Sequence, residues 1–184
     1  SQYPSISRGE LVALKDVRFP ALPSFPLAAY MPPVWRMDFG SAFGASRVIS
    51  VEPPRLGAPY PLLVPQVNAD GNDVSGIRLP EVAVPLGTYT GWNVTIPEFR
   101  DLNYLSGLVG SFEPFARTKD ERTASGDPRR SIAERYSGQA DYLDKVRRAA
   151  DGLVGQRFLR REDVPAVLQR AERIWSMVMG AQGR

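Results

Sequence analysis

An α+β fold follows from two features of the amino-acid sequence. Short β-rich runs broken by proline and glycine fill the first two thirds, and helical periodicity is confined to the last third. Strands first and helices second argue against alternating βαβ units. The sequence predicts short antiparallel strands and long Pro/Gly-rich loops, then a three-helix C-terminal segment. The chain divides into a Pro-rich extended arm at 1–46, a β/loop region with aromatic motifs at 47–118 and a helical segment at 119–184.

The arm contains "RFPALPSFPLAAYMPPVW", Arg18 to Trp35. Its prolines forbid a regular helix, and its apolar content is too high for a free linker. An extended segment of this kind needs a surface to cover it, either the rest of this chain or a domain outside it. From Arg47 the runs "RVISV", "YPLLVPQVN" and "DVSGIRL" read as strands. Between the last two sits "NADGND", Asn68 to Asp73, where Asp70-Gly71 signals a hairpin turn. The six residues have the composition of a calcium loop without its spacing: glycine comes too early, and Leu79 stands where a bidentate Glu would close the loop.

Next comes "LPEVAVPLGTYTGWNV", Leu79 to Val94, in which Gly87 and Gly91 read as positions of unusual backbone conformation. A loop-rich stretch, Ser106 to Thr118, and a polar connection, Lys119 to Arg130, lead to the helices. Ser131 and Glu134 have capping-box spacing and open a short helix, "SIAERYS", that stops near Gly138. A helix over about Ala140–Val154 aligns Leu143, Val146, Ala150 and Leu153. Another over about Glu162–Met179 aligns Val164, Val167, Leu168, Ala171, Ile174, Trp175 and Val178, with Pro165 in its first turn. These stripes read as core.

Composition narrows the chemistry. Hydrophobic residues make up 43% and charged residues 23%, the globular range, and no apolar run is long enough to span a bilayer. The N-terminal "SQYPSISRGELV" has none of the features of a signal peptide. There is no cysteine and no histidine. This removes thiolate chemistry, disulfides, the usual zinc ligands and the usual general base of serine and cysteine hydrolases. The formal net charge is +3, and only Lys15, Lys119 and Lys145 are lysines. The arginines interleave with Asp and Glu, a pattern of salt-bridged faces rather than of a nucleic-acid surface.

No G-x-S-x-G elbow and no phosphate-binding loop is present; "GLVGSF", Gly107 to Phe112, lacks the lysine. The residues imply no metal and no cofactor. Glu98, Asp101 and Glu113 lie among aromatics and are the first candidates for a carboxylate pair, against the alternative of solvated loop acids. Tyr89, Trp92, Phe99, Tyr104, Phe112 and Phe115, with Asn93 and Arg117, make a mix that stacks on sugar or acyl ligands, or equally packs a core or interface. A stand-alone module binding a carbohydrate or acyl ligand is one reading of them.

Longer runs carry a resemblance. "YPLLVPQVNADGNDVSGIRLPEVAVPLGTYTGWN", "GSFEPFART", "GDPRRSIAERY" and "RFLRREDV" together resemble the C-terminal portion of a bacterial family described as alpha/beta hydrolase domain-containing proteins. The opening "SQYPSISRGELV" resembles the point where that family's chain leaves its hydrolase core. The resemblance implies an accessory lid or scaffold portion of a serine ester hydrolase whose nucleophile and histidine lie upstream, with no catalytic residue in this chain. The implied partners are the upstream hydrolase domain and a small-molecule ester, with no nucleic acid and no membrane span. Tyr89, Trp92, Asn93, Ser111, Phe112, Phe115 and Arg117 are then the candidates for substrate or interface contact.

Overall fold

Proline sets the scale of the β structure. With 17 prolines in 184 residues, few runs can donate an unbroken ladder of N–H groups. The computed structural model describes residues 3–22, 34–94, 105–106 and 110–180. Its strands are β1 (Leu11–Ala13), β2 (Trp35–Asp38), β3 (Arg55–Pro59), β4 (Leu63–Pro65), β5 (Gly87–Thr90), β6 (Asn93–Val94), β7 (Leu105–Ser106) and β8 (Ser111–Pro114). Among the described residues they form four two-stranded ribbons, β1–β4, β2–β3, β5–β8 and β6–β7, all antiparallel. The helices are α1 (Phe43–Ser46), α2 (Pro80–Ala83), α3 (Lys119–Ser125), α4 (Gln139–Gly155) and α5 (Val164–Gly180). The fold is α+β, with its two long helices at the C-terminal end.

The core lies where α4 and α5 meet the β5–β8 ribbon. Tyr142, Val146 and Ala150 recur every fourth residue on α4 and are buried, facing Ala171, Trp175 and Val178 of α5. The Tyr142 ring stacks on Trp175 at 5.2 Å, and Tyr136 meets both edge-on, the arrangement the ring quadrupoles favour. Leu86, Phe115 and Ile132 complete the cluster from the segments beside the ribbon. The predicted stripe on α4 omitted Tyr142, only 1% exposed and its largest core residue.

Several local expectations need correction. Residues 47–51 form no strand. Arg47, with φ 62°, ends α1, and the N–H groups of Ser50 and Val51 return to the Phe39 carbonyl, leaving none for a ladder. "DVSGIRL" contributes only the bridge from Asp73 to Val67, because Gly76 turns away at φ 83°. The polar connection at 119–130 holds a helix, α3: Thr118 accepts the Glu121 N–H at 3.2 Å, and Gly126 closes it at φ 70°. "SIAERYS" is a single turn, closed by the Tyr136 N–H on the Ile132 carbonyl, and the N–H groups of Ile132 and Ala133 bond to the carbonyls of Ala116 and Arg117. Glu134 does reach back to the Ser131 N–H at 2.8 Å, but the serine hydroxyl donates to the same carboxylate instead of capping a helix.

The N-terminal arm is anchored in part. Gln66 accepts the Arg18 N–H and donates to the Asp16 carbonyl, and the Phe19 ring lies 5.6 Å from Trp92. Residues 23–33 of the Pro-rich segment lie outside the described residues, as do Glu98, Phe99, Asp101 and Tyr104. The β2–β3 ribbon buries neither face: all nine of its residues are exposed, among them Met37 and Leu56.

Neither Gly87 nor Gly91 has a positive φ, so the conformational reason for them fails. At Gly87 the reason is steric: a Cβ would lie 2.5 Å from the Glu113 carbonyl oxygen and 2.6 Å from the Phe112 ring, whereas at Gly91 it meets nothing within 4 Å. Gly87→Ala is expected to lower the unfolding free energy by about 1–3 kcal/mol through over-packing. Gly91→Ala is expected to be neutral within about 0.5 kcal/mol. Urea denaturation of the two variants checks both.

Candidate functional site

The candidate residues gather around β5, and the geometry there starts from the turn at Asn68–Asn72. The Asn68 side chain accepts the N–H groups of Asp70 and Asn72 at 2.9 and 3.0 Å, closing the turn that Gly71 permits at φ 78°. A Cβ at Gly71 would meet the Thr88 methyl at 2.8 Å, so the turn lies directly on β5. Asn72, wholly buried, then acts as a substitute strand: its amide donates to the Gly87 carbonyl at 3.1 Å and accepts the Tyr89 N–H at 2.8 Å. These side chains are occupied by the turn and the ribbon, as the hairpin reading of "NADGND" requires.

Behind the ribbon lies the Arg129 guanidinium, its side chain 2% exposed. Nη1 donates to the Thr88 hydroxyl at 2.7 Å and the Glu113 carbonyl at 3.0 Å. Nη2 donates to Asp127 at 2.7 Å and the Pro114 carbonyl at 3.2 Å, and Nε completes the pair with Asp127. All five N–H donors are used, which is what makes a buried guanidinium tolerable. Burial opposes the charge on Asp127, but the Arg129 side chain and its backbone N–H hold the carboxyl below its ordinary value. Thr88 passes the connection on by donating to the Asp70 carbonyl, and Asp70 takes a bidentate pair from Arg135. Arg135 in turn lies over the Phe115 ring at 4.1 Å.

The aromatic candidates are drawn into this framework. Phe115 is 2% exposed, in the core. Tyr89 and Phe112 are a cross-strand pair with rings 4.7 Å apart. The Tyr89 hydroxyl is buried with no hydrogen-bond partner among the described residues, and burial pushes its ionisation upward. Trp92 packs on Phe19, and its carbonyl accepts from Thr90 and from Ser111 at 3.2 Å. Arg117 pairs with Glu121 at 2.6 Å, and Asn93 begins β6. The structure thus brings Tyr89, Trp92, Ser111, Phe112 and Phe115 together on and under one ribbon, while Arg117 faces α3.

Proton-moving groups are sparse. Ser111 shares a hydrogen bond with Thr90, which is no base. Ser131 donates to Glu134 at 2.8 Å, but the N–H and hydroxyl of Ser131, with Arg122 beside them, hold that carboxyl below its ordinary value and make it a poor base. Burial pushes the Tyr136 phenol up to about 12, with its hydroxyl donating to the Pro85 carbonyl at 2.7 Å. It stays protonated at neutral pH. Among the described residues no three acidic groups converge to hold a metal, and no helix is long and apolar enough to cross a membrane.

A family model described as an alpha/beta hydrolase domain matches residues 28–169, more than half of the chain. The chain belongs to the alpha/beta hydrolase domain family. No curated protein and no solved structure matches it. The matched region covers the β5–β8 ribbon, the Arg129 network and α4. The residues that carry it, Asn72, Thr88, Asp127 and Arg129, were not among the predicted site residues. "GDPRR" gave a usable signal, since an Asp two residues before an Arg can close a bidentate pair across a turn.

Truncating Arg129 leaves Asp127 buried without its partner and strips donors from Thr88 and two carbonyls. Arg129→Ala is expected to cost about 3–5 kcal/mol. Because the folded-state pKa of Asp127 is depressed, its contribution is complete above the unfolded value of about 4 and is lost as pH falls through the folded value. Thermal melts of the parent from pH 7 to pH 2 should therefore hold steady at first and fall below about pH 4.

Proposed function

We propose that this chain is an accessory, lid or scaffold portion of a serine ester hydrolase and does not catalyse by itself. The observation that carries the reading is chemical. The family works through an activated serine, yet the sequence has no histidine, and the hydroxyls of Ser111 and Ser131 are committed to structural bonds with partners too weakly basic to activate them. The nucleophile and its base are then supplied from residues outside this chain.

The form of the domain supports the same reading. Alpha/beta hydrolases carry their nucleophile elbow on a strand-to-helix turn of a central sheet, whereas every described strand here sits in an antiparallel pair. A two-stranded ribbon with both faces exposed has little stability alone, and β2–β3 presents Trp35, Met37 and Leu56 to solvent. A hydrolase core packed on that ribbon supplies the missing cover. The aromatic residues of the β5–β8 ribbon brace this portion from within, and Trp92, half-buried at the ribbon's end, is the candidate for contact with an ester bound in the core.

Fluorophosphonate labelling of the folded 184-residue chain, read by intact mass beside a short-chain ester assay, tests the reading. The expected result is no adduct and no turnover. A stoichiometric adduct with turnover would overturn it, with Ser111 the first position to replace.

A further inference from the structure

Two clefts adjoin along one side of α4. One measures about 460 Å3 and the other about 610 Å3. Arg78, Ala83 and Arg148 line both, so the two form one trough between α4 and the segment leading into α2. Its ends differ in chemistry. Arg135 and Lys145 stand at one end, while Ile77, Leu153 and Phe158 line the other.

The cations are not equally committed. Arg135 is held by Asp70, and Lys145 by Asp141 at 2.6 Å. Arg148 has only an exposed pair with Asp144, which solvent screens. Arg78 makes no ion pair or hydrogen bond among the described residues. The junction of the two clefts therefore carries one guanidinium without an acid and a second that a better partner can recruit.

Gly152, in the last turns of α4, is a separate observation. It lines the apolar end, its φ is not positive, and a Cβ there would meet nothing within 4 Å. Neither packing nor backbone geometry calls for glycine, which lowers helix stability relative to alanine. Its effect is to keep the helix backbone bare along the trough floor.

We propose that this trough binds an anion bearing an unbranched apolar tail. The head sits on the guanidinium forks of Arg78 and Arg148, which suit the paired oxygens of a carboxylate or phosphate. The tail lies over Gly152 between Ile77, Leu153 and Phe158. The site stands independently of the hydrolase reading, since it uses none of the residues argued above to lack catalytic power.

Calorimetric titration of the folded chain with octanoate, decanoate, octyl phosphate and octyl glucoside, all below micelle formation, tests it. Octanoate or octyl phosphate should saturate one site, and whichever binds tighter identifies the head group. Two further methylenes, from octanoate to decanoate, should raise affinity about fourfold to fifteenfold. The double variant Arg78→Ala, Arg148→Ala should weaken binding at least about tenfold. Gly152→Leu, whose side chain enters open space, should not lower the thermal melt and should abolish the dependence on tail length. Octyl glucoside binding as tightly as octanoate, variants that bind like the parent, or no saturation with either anion would each overturn the proposal.

Discussion

The described structure turns on one buried cation. Arg129 lies two residues from its acid, Asp127, and reaches two adjacent carbonyls of β8 and the hydroxyl of β5. A ribbon of four residues per strand is too short to define its own register by packing alone. The guanidinium fork reads both strands at once, and a shift of either by one residue would leave buried donors without acceptors. A buried ion pair adds little net stability, because desolvation offsets the attraction. Its consequence here is to fix which residues face which. Asn72 performs the corresponding task at the free edge of β5, so the strand is held on both sides by side chains as much as by backbone.

That constraint explains the placement of the aromatic residues. Once β5 and β8 are registered, Tyr89 and Phe112 stand opposite each other, Leu86 and Phe115 drop into the helix pair, and the Tyr136–Tyr142–Trp175 cluster closes over them. The result is a firm body of ribbon and helices. The β2–β3 ribbon has no comparable side-chain bracing and no buried residue. The proposed accessory role fits this contrast between a braced body and an unburied ribbon.

The sequence makes the class of fold and the two long helices legible, because periodicity of 3.6 over 17 residues is a strong local signal of a face to be buried. The turn at Asp70-Gly71 is legible for the same reason, since its chemistry is local. The ribbons are not: "RVISV" has strand composition, but the N–H groups of Ser50 and Val51 are captured by Phe39, a competition set by the chain's path. The Ser131 helix is cut to one turn, whose first N–H groups, those of Ile132 and Ala133, bond to the loop after β8, 16 residues back. In the site, the aromatic residues are legible as a group, while Asn72, Thr88 and Arg129 are not, since the bonds that define them span 15 to 41 residues of sequence.

The proposal of a firm ribbon-and-helix body carrying a β2–β3 ribbon for a partner to cover is tested most directly by amide hydrogen exchange on the folded 184-residue chain. The account predicts that amides of β5, β8, α4 and α5 exchange together at the slowest rates, while those of β2–β3 exchange far faster although they are paired. Protection in β2–β3 equal to that in α4 would contradict it, because the ribbon would then be held within this chain and would have no need of a covering domain.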